Sequence, residues 1–361
     1  MTSTTALSSA AALSVPKAAP ANSFVLHAPL ELMARIQLLR FLPEANQRAA
    51  LDKIEWLAAE YQSAGASVAE PSAVAGPPDV AALRSAIAEG DQDLVDSMAA
   101  NWLPQWSARE VVGALGDAVV PSLAAAGHAP IGLSLLLRDT QLPTTLLRGP
   151  LRSLSAQPDW RITWHEPIAT HGDATGLYQA LRAAPQLGRP GSDFIYPLMS
   201  QAVDSGEAER LLAPVLADRY DVAAALHCIT RVAAWSMLHD DQSQAPYGWT
   251  HALTMPQAVL SLVAAGVRAR AALAVAATFS LGFRLAHGIV ELPPVIEPVV
   301  CDISFAQSAA AVCTHEDAHL VKFTLACVHA AAADPEFAGL YRAAAAHLVE
   351  WWRDAVECQQ Q

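Results

Sequence analysis

The sequence predicts an all-α protein, a single large multi-helix body built around a buried metal site, and three observations carry that expectation. Alanine supplies about a fifth of the 361 residues, so the 53% hydrophobic content is weighted toward small helix-forming side chains. Apolar residues recur at helical spacing through one segment after another, and none reads convincingly as an alternating strand. Histidines stand inside or at the entrance of those apolar segments, at positions 27, 128, 227, 251 and 319.

Taken in order, residues 1–22 are rich in Ala, Ser, Thr and Pro and lack a sustained apolar centre, which predicts a disordered arm and argues against a secretory leader. Residues 23–361 form the helical domain. A helix opening near Leu26 places Pro29 in its first turn and His27 at its entrance. A second covers Gln47 to Tyr61, and the Gly-, Ala-, Ser- and Pro-rich stretch 63–79 is the best linker candidate. Helices follow over Val80–Glu89, Ala108–Ala126 and Pro130–Leu137, the last preceded by a second His-Ala-Pro at His128. A loop with Trp160, Trp164, His165 and His171 leads to helices over Gly176–Ala184, Ile195–Ala202 and Glu207–Asp218. Val222–Leu238 reads as a central buried helix. Thr254 is placed to cap the next one, leaving His251 just outside it. After the break at Leu292–Pro298 come the helix of residues 314–328 and a last one over Pro335–Val356.

Composition excludes some functions. A net charge of -13 and a pI near 5.3, with arginines scattered singly, supply no basic stripe for nucleic acid. The longest apolar run, Ala271 to Leu285, is interrupted by Arg284, so no membrane span is expected. Five cysteines without a CxxC pair suit reduced thiols and a cytoplasmic location. No dinucleotide fingerprint or P-loop is present.

The chemistry concentrates at Thr314-His315-Glu316-Asp317-Ala318-His319-Leu320-Val321-Lys322. On a helix, His315, His319 and Lys322 would face one point. Lys322 is one of three lysines against nineteen arginines, and it opens an apolar stretch where a bare ammonium would be costly. His315 to His319 spells HExxH, the zinc-protease pattern, but no clear third ligand follows beyond His329 and His347. Glu316 and His319 make one ExxH, half of a di-iron pair whose other half is absent. Against both stands a polar helix N-terminus with His315 exposed. Each of the other histidines, alone, reads as a hydrogen-bonded core residue; together they suit a multi-imidazole metal cage.

His27-Ala28-Pro29, His227-Cys228-Ile229-Thr230-Arg231, Thr250-His251-Ala252-Leu253-Thr254-Met255-Pro256-Gln257 and Asp317-Ala318-His319-Leu320-Val321-Lys322-Phe323 resemble, in order, the histidine-bearing blocks of the questin-oxidase-like family. That family is helical, and some members are non-haem iron oxygenases acting on anthraquinone-type polyketides. The resemblance implies iron, or another divalent metal, held by His27, His227, His251 and His319, with Lys322 carboxylated by carbon dioxide as a further ligand. His128 is an alternative to one of the four. Arg231 and His315, in or beside these blocks, are candidate catalytic groups. The expected partners are dioxygen and a small aromatic substrate in an apolar cavity. The competing expectation is an alanine-rich helical scaffold or binding protein that turns over nothing.

Overall fold

A computed structural model describes residues 4–18, 22–164, 171–191, 194–217 and 219–359, and among them every regular element is helical. Isolated antiparallel bridges join Lys17 with Ser67 and Ser122 with Arg161. In place of one body, the chain divides into two compact units, Met1–Arg161 with Ser261–Val267, and Ile162–Leu260 with Arg268–Gln361. The candidate linker 63–79 is indeed largely irregular, but it lies inside the first unit.

The first unit carries α1 (Thr4–Leu13), α2 (Ser23–Leu38), α3 (Glu44–Ser63), α4 (Val80–Glu89), α5 (Gln92–Trp102), α6 (Ala108–Val119), α7 (His128–Arg138) and α8 (Arg148–Ser155). The disordered arm is corrected here: residues 4–13 are helical because Ala6, Ala10 and Leu13 share one face and are buried where α1 packs on α3. Asn22 caps α2 by accepting from the Val25 N–H, so that helix starts a turn earlier than Pro29 suggested. Pro29 and His27 therefore sit inside it. Ser107 and Glu110 form a capping box on α6, which ends at Val119 rather than Ala126. Ala125 and Ala126 take φ values of +44° and +58°, and Gly127 follows at +77°. Left-handed alanines cost roughly 1–2 kcal/mol each, so packing around α7 must hold this turn. Arg148 grips Asp96 with two bonds of 3.0 and 2.8 Å, tying α8 to α5.

The second unit carries α9 (Ala174–Arg182), α10 (Ile195–Asp204), α11 (Glu207–Leu212), α12 (Val222–His239), α13 (Thr250–Ala264), α14 (Ala269–His287), α15 (Phe305–Val312), α16 (Ala318–Ala333) and α17 (Ala338–Gln359). The helix expected over Glu207–Asp218 stops at Leu212; Asp218, like His165, lies outside the described residues. Against the sequence reading, α14 is long and apolar enough to cross a membrane by length and composition. It is instead a core helix of its unit, buried from Ala272 to His287 and packed on α10 and α12. Its Arg284 is paired with Asp240 at the end of α12.

Residues 291–300, which hold Pro293, Pro294 and Pro298, run as an irregular strap. A Cβ added to Gly339, the second residue of α17, would stand 1.6 Å from the Val299 carbonyl oxygen. Backbone of the strap thus lies directly on backbone of the helix. Gly339→Ala is expected to force the strap away and cost on the order of 2 kcal/mol, as overpacking does. A urea midpoint followed by circular dichroism checks this, and an unchanged midpoint contradicts it.

Candidate metal centre

In the second unit, α16 begins at Ala318 because the Asp317 carboxylate caps it, accepting from the backbone N–H groups of His319 and Leu320 at 2.8 and 3.0 Å. His319 and Lys322 follow at helical spacing of three, and both are buried. His315 and Glu316 precede the helix, which corrects the expectation that His315, His319 and Lys322 stack on one face. The His315 Nδ1 accepts from the Asp317 N–H at 3.0 Å, which leaves its proton on Nε2, and its ring lies 5.3 Å from that of Trp352. Glu316 is exposed. The helical geometry that HExxH or ExxH chemistry needs is therefore absent.

His251 reaches the same place from α13. The segment that follows α12 contains a short 3-10 turn and then a π-helical turn, Ala245–Trp249, running directly into α13 at Thr250. Wide turns of this kind recur at functional sites. Thr254 is no cap; it lies inside the helix, and its hydroxyl donates to the Thr250 carbonyl at 2.6 Å. The carbonyl of Tyr247 accepts a hydrogen bond from His251 Nδ1. The proton is thus fixed on Nδ1, and the lone pair belongs to Nε2, a buried atom with no hydrogen-bond partner among the described residues. A metal-ligating histidine is held in the same way, its second nitrogen donating to a backbone carbonyl.

The rings of His251 and His319 are 5.1 Å apart at 61°, and the Tyr247 ring stands edge-on to His319, also at 5.1 Å. Two imidazoles sharing an ion, each nitrogen about 2.0–2.1 Å from it, adopt a comparable spacing. Burial and, after it, Lys322 bring the His251 pKa down to about 4, against the opposing pull of the Tyr247 carbonyl and Asp317. Burial, then Lys322 and His251, hold His319 well below the ordinary histidine range. Both rings are neutral at neutral pH, the state a metal requires.

In the first unit, the two His-Ala-Pro sequences meet. His27 Nδ1 donates to the Ser23 carbonyl at 2.6 Å, one turn back on α2, so its Nε2 also bears the lone pair. His128, the first residue of α7 and 2% exposed, packs edge-on against it with centroids 4.4 Å apart. The companion of His27 here is thus the residue that the sequence offered as an alternative ligand.

His227 and Arg231 are placed elsewhere. Among the described residues His227 joins no cluster of candidate ligand atoms. It lines a groove of about 380 Å³ with Arg231, Tyr178, Gln179, Val295 and Ile296. Arg231 is committed to Asp334 by two bonds of 2.7 Å and lies over the Phe337 ring. Neither His251 nor His319 is among the residues that line this groove. Burial pushes the neighbouring Cys228 thiol up to about 12, so it is no nucleophile.

Sequence reasoning missed the carbonyl of Tyr247 as the group that sets the His251 tautomer. The four-residue spacing of Tyr247 and His251 was its one visible signal. The chain matches no protein-family model, no curated protein and no solved structure.

Proposed function

We propose that His251, His319 and Lys322 belong to a non-haem iron centre, and that the protein is an oxygenase oxidising a small aromatic molecule of the polyketide kind. The observation that carries this reading is His251 itself, a buried neutral imidazole whose Nε2 lone pair no group among the described residues uses. The order of the histidine-bearing blocks supplies the reaction class.

Bound iron would supply dioxygen activation. His251 and His319 would donate nitrogen lone pairs to it, and Tyr247 would cover one edge of His319 against water. As an ammonium, Lys322 disfavours positive charge beside both imidazoles. Reaction of its neutral amine with carbon dioxide releases a proton and leaves an anionic carbamate, which reverses that effect and offers an oxygen ligand. The His27 and His128 pair of the first unit offers further imidazole nitrogens. A cytoplasmic setting, with reduced thiols, accords with the four free cysteines among the described residues.

The test is oxygen uptake by protein purified without a histidine tag, loaded with ferrous iron and supplied with hydroxylated anthraquinones. The expected result is uptake that His251→Ala abolishes. Protein that binds no iron, and whose melting temperature a chelator leaves unchanged, would instead be the helical scaffold.

A further inference from the structure

The groove that holds His227 and Arg231 takes no part in the proposed metal centre, and the chemistry of its lining is one-sided. His227 and Arg231 are four residues apart on α12 and so project from one face. With Gln179 and Thr175 from α9 they give the groove a wall of hydrogen-bond donors. Among the described residues no carboxylate lines it, in a chain whose net charge is -13. The facing wall is the strap, which presents Val295 and Ile296.

Two features make this a prepared site. Arg231 is locked by Asp334 through Nε and Nη2 and rests on Phe337, which leaves its Nη1 edge outside that pair at no further ordering cost. The strap is fixed as well, since the Tyr178 hydroxyl donates to the Pro293 carbonyl at 2.6 Å. The His227 imidazole, by contrast, makes no hydrogen bond to the described residues; Thr230 reaches the backbone carbonyl of His227 and not its ring. A volume of about 380 Å³ falls in the range of small-ligand sites.

We infer that this groove binds a small organic carboxylate with an apolar body, its carboxylate received by His227 and the outer edge of Arg231 and its body lying against Val295 and Ile296. The site is separate from the metal centre, so either proposal can fail without the other.

Phenylacetate and its uncharged isostere phenylacetamide, titrated into the full-length protein by calorimetry, test it. Phenylacetate should bind saturably and at least about tenfold more tightly than the amide, a difference of roughly 1.4 kcal/mol. His227→Ala should weaken phenylacetate by about tenfold. Val295→Asp, at a residue 62% exposed and free to change without unfolding the chain, should abolish binding by setting a carboxylate opposite the donors. Both variants should keep the metal content of the parent. Arg231 is left intact because its loss would strand the buried Asp334. Equal affinity for acid and amide, unchanged affinity in either variant, or no saturable binding of phenylacetate would each overturn the inference.

Discussion

Lys322→Ala and His251→Ala should each lower iron affinity by at least about 100-fold, since loss of groups that merely orient a ligand already costs 10–100-fold. The His251 lone pair is aimed by the Tyr247 carbonyl, which the π-helical turn presents, so His251→Ala removes an oriented donor. For Lys322 the expectation is sharper, because removing a simple buried ammonium from beside two imidazoles would strengthen cation binding, whereas removing a carbamate ligand would weaken it. The sign of the change therefore reports the chemical state of the lysine. Glu316→Gln is the control. Glu316 is exposed and outside α16, so its replacement should leave iron content unchanged, where a zinc protease would lose its activity. Competition with a chromogenic chelator measures all three variants. Full metal retention in Lys322→Ala would remove the lysine from the centre.

The largest stability effect is expected at Asp240. Its side chain is fully buried at the end of α12, paired with Arg284 of α14, and it also accepts from the Val290 N–H at 2.8 Å. Asp240→Ala leaves the guanidinium buried without its counter-charge and the Val290 N–H without its acceptor, a loss of about 3–5 kcal/mol. The same residue begins the segment that ends at His251. Gln242 donates to the Asp240 carbonyl at 2.9 Å and Trp249 to the Asp241 carbonyl at 3.2 Å, so loosening this corner should also weaken metal binding. Replacing the pair together, Asp240→Leu with Arg284→Met, restores an apolar contact and should recover most of the lost stability. Urea unfolding distinguishes the cases. A single variant as stable as the parent, or a double variant no better than the single, would show that the ion pair does not hold the corner.

Much of the helical architecture was legible because apolar spacing and alanine content speak directly to it, and α4 even begins and ends where its pattern does. The departures share a cause. Side-chain caps at Asn22 and Asp317 set helix starts independently of apolar periodicity, which is why Pro29 and His27 moved inside α2 while His315 fell outside α16. The arm became α1 because its few apolar residues find a partner in α3, a contact that no local pattern announces. At the site, His319 and Lys322 could be paired from spacing alone. His251 could be named but not oriented, because its orientation comes from a backbone carbonyl in a turn that apolar patterning does not encode. For His227 and Arg231, block order carries no information about which face of α12 looks where, and the structure sets both in the lining of a groove.

Anomalous scattering at the iron edge, from crystals of protein purified without a histidine tag, tests the central proposal most directly. The account predicts a peak within about 2–2.5 Å of the Nε2 atom of His251, and within the same reach of His319 and of density extending from Lys322. A crystal of iron-supplemented protein with no peak touching both imidazoles would contradict it.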